Sequence, residues 1–320
     1  TSKAIMGVVS CPLSVVGPMV GRRRLRQFYP PYGLERIPVS MKPLILVLCV
    51  SIGTLRAAAQ DSETPAPENE NERAPDPIRE AYRLDADGYV FYHDADRKQP
   101  LERIEKPIMR WTNDNDWSGD VFAWTHEGRP EVVGCILSGP GASGLRYVFH
   151  EFHLLAEQPI ASADLQTQRR WEPHKGLAIA PVPDAGQPAA TASARLAQMR
   201  RISRDFSAHM QADGTWELRL LPQPLLRYGN DARDVVDGAL FTYVWTKGTD
   251  PELVLLVECR RAEAGLVWYF APVRFSNREV WLKHHGQEVW RVEAHHEPPG
   301  NLTTEPYTTA FARSVPQPER

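Results

Sequence analysis

The residues best suited to chemistry sit in one short run, His150-Glu151-Phe152-His153. Imidazole and carboxylate groups at this density suit general acid/base catalysis or metal ligation. The spacing differs from H-E-x-x-H, which sets two histidines on one face of a helix. On a strand, side chains alternate, so His150 and His153 point to opposite faces and cannot share an ion without a bulge. Zinc held by either one, with His295 or His296, is therefore not the expected state, and no metal and no cofactor are expected. His150, Glu151 and His153 stand as acid/base candidates; the plain alternative is paired or partly exposed side chains without a role. Gly139-Pro140-Gly141-Ala142-Ser143-Gly144 has the G-x-G-x-x-G form. A dinucleotide site needs a helix start directly after it, and Leu145 to Phe152 reads as a strand. A hairpin loop is expected there instead. No Gly-x-Ser-x-Gly occurs.

A second set of charges recurs. Arg110 and Glu131 reappear as Arg227 and Glu252, and turn chemistry explains none of the four. An ion pair within each copy, Arg110 with Glu131 and Arg227 with Glu252, is the expected arrangement. A pseudo-symmetric ligand site where the copies meet is the alternative, and Arg suits bidentate carboxylate contact in both cases.

These residues belong to a duplication. Pro-Ile-Met-Arg-Trp-Thr-Asn-Asp (107–114) returns as Pro-Leu-Leu-Arg-Tyr-Gly-Asn-Asp (224–231), and Gly119 to Phe122 returns as Gly238 to Phe241. From Pro130/Pro251 to Leu154/Phe275 the copies align without a gap, sharing Gly144/Gly265 and Phe149/Phe270. A repeat of this kind constrains architecture far more than chemistry. Each copy reads as four strands: Pro107–Trp111, Val121–Thr125, Val132–Leu137 and Leu145–Leu154, matched by Pro224–Tyr228, Leu240–Thr246, Leu253–Glu258 and Leu266–Phe275. The third strand is apolar on both alternating faces, as expected for one covered on both sides. Gly128 and Gly248 suit positive φ in the hairpins before it. Between the copies Leu196, Met199, Ile202, Phe206 and Met210 recur at helical spacing, capped by Thr191 or Ser193 and stopped by Asp213-Gly214. Arg195, Arg200, Arg201 and Arg204 fall mainly on other faces and read as a solvated surface, with an anion site as the alternative. The fold expected is α+β and β-rich. Two antiparallel four-strand meanders form a sheet pair or a partly closed barrel, with one amphipathic helix between them.

Met41, Lys42, the apolar run Leu44 to Leu55 and Ala57-Ala58-Ala59 have the form of a signal peptide, with cleavage between Ala59 and Gln60. Residues 1–40 then read as a mis-called start. The run is too short to span a bilayer, so no membrane span is expected in the mature form. Residues 60–78 are acidic and Pro-rich and read as a disordered linker. Residues 79–297 form one β-rich domain, and 298–320 a loose tail. Residues 1–59 hold eight of the 37 bases and one of the 40 acids, which leaves 29 against 39, a net charge of −10. That balance repels phosphate backbones and excludes nucleic acid as a partner. In an oxidising compartment a Cys135–Cys259 disulfide is permitted, but buried free thiols are the expected state.

The stretches Gly-Arg-Pro-Glu-Val-Val (128–133), His-Glu-Phe-His (150–153), Leu-Arg-Leu-Leu-Pro-Gln-Pro-Leu (218–225) and Asp-Gly-Ala-Leu-Phe (237–241) resemble an uncharacterised family of exported planctomycete-type proteins. The resemblance covers roughly residues 85–295. It implies a signal peptide and a single β-rich body, and it supplies no functional residue. The expected function is that of an exported, non-enzymatic ligand- or partner-binding protein. The alternative is an extracytoplasmic hydrolase acting on a polymer, with His150, Glu151 and His153 as its acid/base or metal-ligating candidates.

Overall fold

The computed structural model describes residues 76–163, 170–230, 234–263, 265–298 and 302–317. The expectations for residues 1–75, including cleavage at Ala59 and Gln60, lie outside the described residues.

The first element is a helix where a linker was expected to end. Asp76 caps α1 (Pro77–Asp87), its carboxylate accepting the Ile78 N–H at 3.1 Å, with Pro77 at the first position. Proline is suited there because its missing N–H would have no partner in any case. Tyr82 and Ala86, four residues apart, are fully buried against the first sheet.

That sheet is built on β1 (Met109–Thr112), β2 (Ser118–His126), β3 (Arg129–Pro140) and β4 (Leu145–Leu154), each antiparallel to the next. The second copy gives β5 (Leu226–Asn230), β6 (Val235–Val244), β7 (Pro251–Ala262) and β8 (Gly265–Arg274) in the same order. Both sheets are open, so the pair of sheets is realised and the barrel is not. Glu127 and Gly128 both have positive φ, making a two-residue hairpin turn between β2 and β3. Gly248 is needed for a different reason from the one expected: a Cβ there would lie 2.7 Å from that of Asn113. The equivalent pair Gly119 and Gly238 sit beneath aromatic rings, and a Cβ would meet Trp111 at 2.6 Å and Tyr228 at 2.5 Å. This cross-strand packing explains why the aromatic and the glycine recur together.

Strand alternation sorts the side chains of the third strands. Val133 and Cys135 of β3 share one core with Val254 and Leu256 of β7, so the two sheets pack face to face. Val132 and Ile136 point the other way, into a core with Tyr82 and Ala86 of α1. The second helix, α2 (Ala192–Arg204), lies on β6 and β7. The body is thus layered helix, sheet, sheet, helix, with β3 and β7 covered on both faces. Cys135 lies between the sheets, whereas odd-numbered Cys259 points away from the face of Val254 and Leu256. Both thiols are buried and free, and the two alternation phases keep them apart.

The duplication extends beyond the residues that betray it in the sequence. Each copy begins with a helix, continues into a strand (Phe91–Tyr92 or Phe206–Gln211), and then adds a short strand on β2 or β6 (Glu102–Arg103 or Arg219–Leu220). After the meander the chain returns to pair antiparallel with that early strand, Ala161–Ser162 on Phe91–Tyr92 and Glu279–His284 on Phe206–Gln211. Within β4 and β8 the gapless alignment fails by one residue. Leu137 and Glu258 both face the shared glycines, yet they pair with Phe149 and Tyr269 respectively. Phe149 therefore corresponds to Tyr269, not Phe270, because the second hairpin is one residue shorter.

Two other boundaries differ from the sequence reading. α2 ends at Arg204, capped by Asp205, and Phe206 and Met210 lie on a strand. They alternate with Ala208 as buried residues, a period of two that a helical stripe also accommodates. The segment expected to be a loose tail supplies Tyr307–Pro316, which pairs along the whole of β4.

Candidate functional site

β4 separates the acid/base candidates. His150 lies on the face of α1, its Nε2 donating to Asp85 Oδ2 at 3.0 Å and its Nδ1 accepting from the Tyr89 hydroxyl. Asp85 in turn accepts from Arg313 at 2.6 and 2.8 Å. Burial pushes the Asp85 carboxyl up, but the hydrogen bonds from His150 and Arg313 outweigh it and hold the group below its ordinary value. This chain ties α1 to the Tyr307–Pro316 strand, and His150 is its enclosed link.

Glu151 and His153 point the other way, between the sheets. Glu151 accepts from the Tyr307 hydroxyl at 2.9 Å, and burial pushes its carboxyl up to about 7. His153 stacks on Phe275 with centroids 3.8 Å apart, and burial brings it down to about 3, which keeps it neutral. Glu252 joins this seam from β7. Burial, then the neighbouring Asp250 carboxylate, pushes it up to about 8. Burial raises Asp250 as well, and the Asn113 amide donates to it across the copy boundary at 3.4 Å. The seam holds protons that exchange near neutrality, though its members are walled in by both sheets.

Arg110 and Glu131 do not meet, and neither do Arg227 and Glu252. The arginines lie on the outer, helix-facing side of each sheet, and the glutamates lie on the inner side. What Glu131 and Glu252 do share is backbone: their carbonyls accept the N–H of Leu155 and Phe275, each at 2.8 Å. The Glu131 side chain pairs with fully buried Arg129 at 3.3 Å. Arg129 also reaches across to Glu258 of β7 at 3.0 Å, and Tyr228 donates to the same Glu258 oxygen at 2.7 Å. Arg260 completes this network through Glu258 and Glu157.

The arginines instead form a motif present in both copies. In the first, Asp120 is held by Arg79 from the first turn of α1 and by Arg110 at 3.7 Å. In the second, Asp237 is held by Arg195 of α2 at 3.0 Å and by Arg227 at 2.9 and 2.7 Å. Each motif fastens the helix to the first hairpin. Arg110 reaches the residue directly opposite, whereas Arg227, opposite Ala239, reaches two residues along to Asp237, next to a bulge between Val235 and Asp237. Arg195 is buried, not solvated as its helical position suggested, and its terminal nitrogen also donates to the carbonyls of Ala189 and Ala190. The second motif opens on a groove of about 340 Å³ lined by Ala192, Arg195, Arg227, Gly229, Val236 and Asp237. Asp237 is the site residue that sequence reasoning missed, and Arg195 is one it placed on the wrong face. Asp120 and Asp237 sit one residue to either side of the shared glycine, so alignment does not superimpose them.

No protein-family model, no curated protein and no solved structure matches this chain. The geometry of the site therefore carries the functional reading alone.

Proposed function

We propose that this is an exported, non-enzymatic binding protein that takes an anionic, carboxylate-bearing ligand in the groove beside α2. The observation that carries the reading is the convergence of two guanidinium groups on the single Asp237 carboxylate at the groove wall. The cluster keeps a net positive charge, and the Arg227 side chain is 34% exposed. Arginine at such a position presents a planar fork that matches carboxylate geometry. The separation of His150 from Glu151 and His153 favours binding over catalysis, since an acid/base site needs its groups around one pocket. Export is supported by the signal-like segment 41–59. No helix among the described residues is long and apolar enough to cross a membrane.

Calorimetric titration of the full chain with citrate and with uronic-acid oligosaccharides tests this reading. Binding should weaken about thirtyfold or more in Arg227→Gln, the cost of losing one partner of a partly buried charge pair. Equal binding by wild type and variant would refute the groove as the site. The hydrolase alternative draws its support from Glu151 and Glu252, which titrate near neutrality. Turnover of a polymer that disappears in Glu151→Gln would favour it instead.

A further inference from the structure

A second cluster lies where α2 ends. Asp205 caps that helix, and the next residue, Phe206, pairs with His284 at the end of the Glu279–His284 strand. His285 follows in a two-residue turn with Gly286, at φ 46 and 82. Its backbone N–H donates to the Asp205 carbonyl at 3.0 Å. Ladder, cap and turn thus fix three donor side chains against one another. One ligand atom from each of Asp205, His284 and His285 lies within 4.8 Å of the other two.

We propose that Asp205, His284 and His285 bind a divalent transition metal, with zinc the best match to two imidazoles and a carboxylate. Donors on one zinc ion stand about 2.0–2.2 Å from it, so small side-chain rotations from the present separations close the site. Three features support this assignment. Among the described residues neither imidazole has a side-chain hydrogen-bond partner, although His284 is buried. The His284 and His285 rings lie 4.2 Å apart between centroids, held there by a left-handed turn conformation that histidine enters more readily than most residues. Asp184 acts electrostatically on His284, so two carboxylates offset the charge of the cation. His285 is exposed, which gives the ion a route in. Three protein donors leave a coordination position for water. The metal would fasten the end of α2 to the hairpin formed by Glu279–His284 and Gln287–Val292, as a second clamp on the helix that carries Arg195.

The full chain, stripped of metal by chelation, should take up one equivalent of Zn²⁺ in calorimetric titration. Co²⁺ should give a visible absorption band at the same stoichiometry. His285→Gly suits the left-handed turn and removes one ligand without straining the backbone. It should weaken Zn²⁺ binding by more than about tenfold, as should Asp205→Asn, whereas His296→Ala should leave it unchanged. Zn²⁺ should also raise the melting temperature of the wild type but not of His285→Gly. Absence of a stoichiometric site in the wild type, or an undiminished one in both ligand variants, would overturn the assignment.

Discussion

Replacing Arg129 by alanine is expected to lower the unfolding free energy by about 3–5 kcal/mol, the cost of leaving buried charges without their partner. Arg129 is fully buried, and its guanidinium serves Glu258, Glu131 and the Leu155 carbonyl at 3.0, 3.3 and 3.1 Å. Burial alone would push the arginine toward its neutral form, but the surrounding carboxylates outweigh it and raise its pKa. Removing it strands Glu258 and Glu131 between two sheets. Urea unfolding at neutral pH measures the loss. A change within about 0.5 kcal/mol, typical of exposed surface substitutions, would mean that the network is solvated and the sheets are not in contact there.

The second large effect is a pH dependence set by the seam. Glu252 titrates at about 8 in the folded chain, against about 4.3 in an unfolded one. The folded state therefore holds a proton that the unfolded state has already released. Stability falls as pH rises from about 5 to about 8, by roughly 1 kcal/mol per pH unit for each such group. Glu151 acts in the same direction up to about 7. His153 has the opposite sign. It is neutral in the fold down to about 3, so its share of stability is lost as pH drops below about 6.5. Glu252→Gln removes one descending contribution. The variant should gain on the wild type steadily between pH 5 and pH 8 in denaturant titrations. Parallel curves for the two proteins would show that Glu252 is ionised and solvated.

Much of this architecture was legible in the sequence because the duplicated stretches carry turn and core residues at matched places. The four strands of each copy, their order and the two-sided burial of β3 and β7 follow from alternation and from Gly119, Gly128 and Gly238. What escaped detection has specific causes. The cap and proline of α1, Asp76-Pro77, and the spacing of Ile78, Tyr82 and Ala86 were present, but they border an acidic Pro-rich run that resembles linker. Phe206, Ala208 and Met210 satisfy a period of two as well as one of four, so the helical stripe ran on into a strand. A hairpin shorter by one residue kept Phe149 and Phe270 aligned while placing them on opposite faces.

The candidate site was legible only in its residue types. Alternation already separated His150 from His153. The same rule, applied across strands, puts Arg110 on the face of Asp120 and Glu131 on the other, which excludes the pair expected from recurrence. Arg195 and Asp237 become partners through tertiary packing of α2, and no spacing along the chain encodes that contact. The metal ligands come from a helix end and a turn almost eighty residues apart, joined by the ladder between Phe206 and His284.

The face-to-face packing of the two copies rests most directly on the contact between Arg129 of the first and Glu258 of the second. A double-mutant cycle with Arg129→Met and Glu258→Met isolates that contact from other effects of either change. The two substitutions should couple by about 1–3 kcal/mol, the range seen for residues that share a network. Additivity within about 0.3–0.5 kcal/mol, as found for distant sites, would contradict the packing of the copies described here.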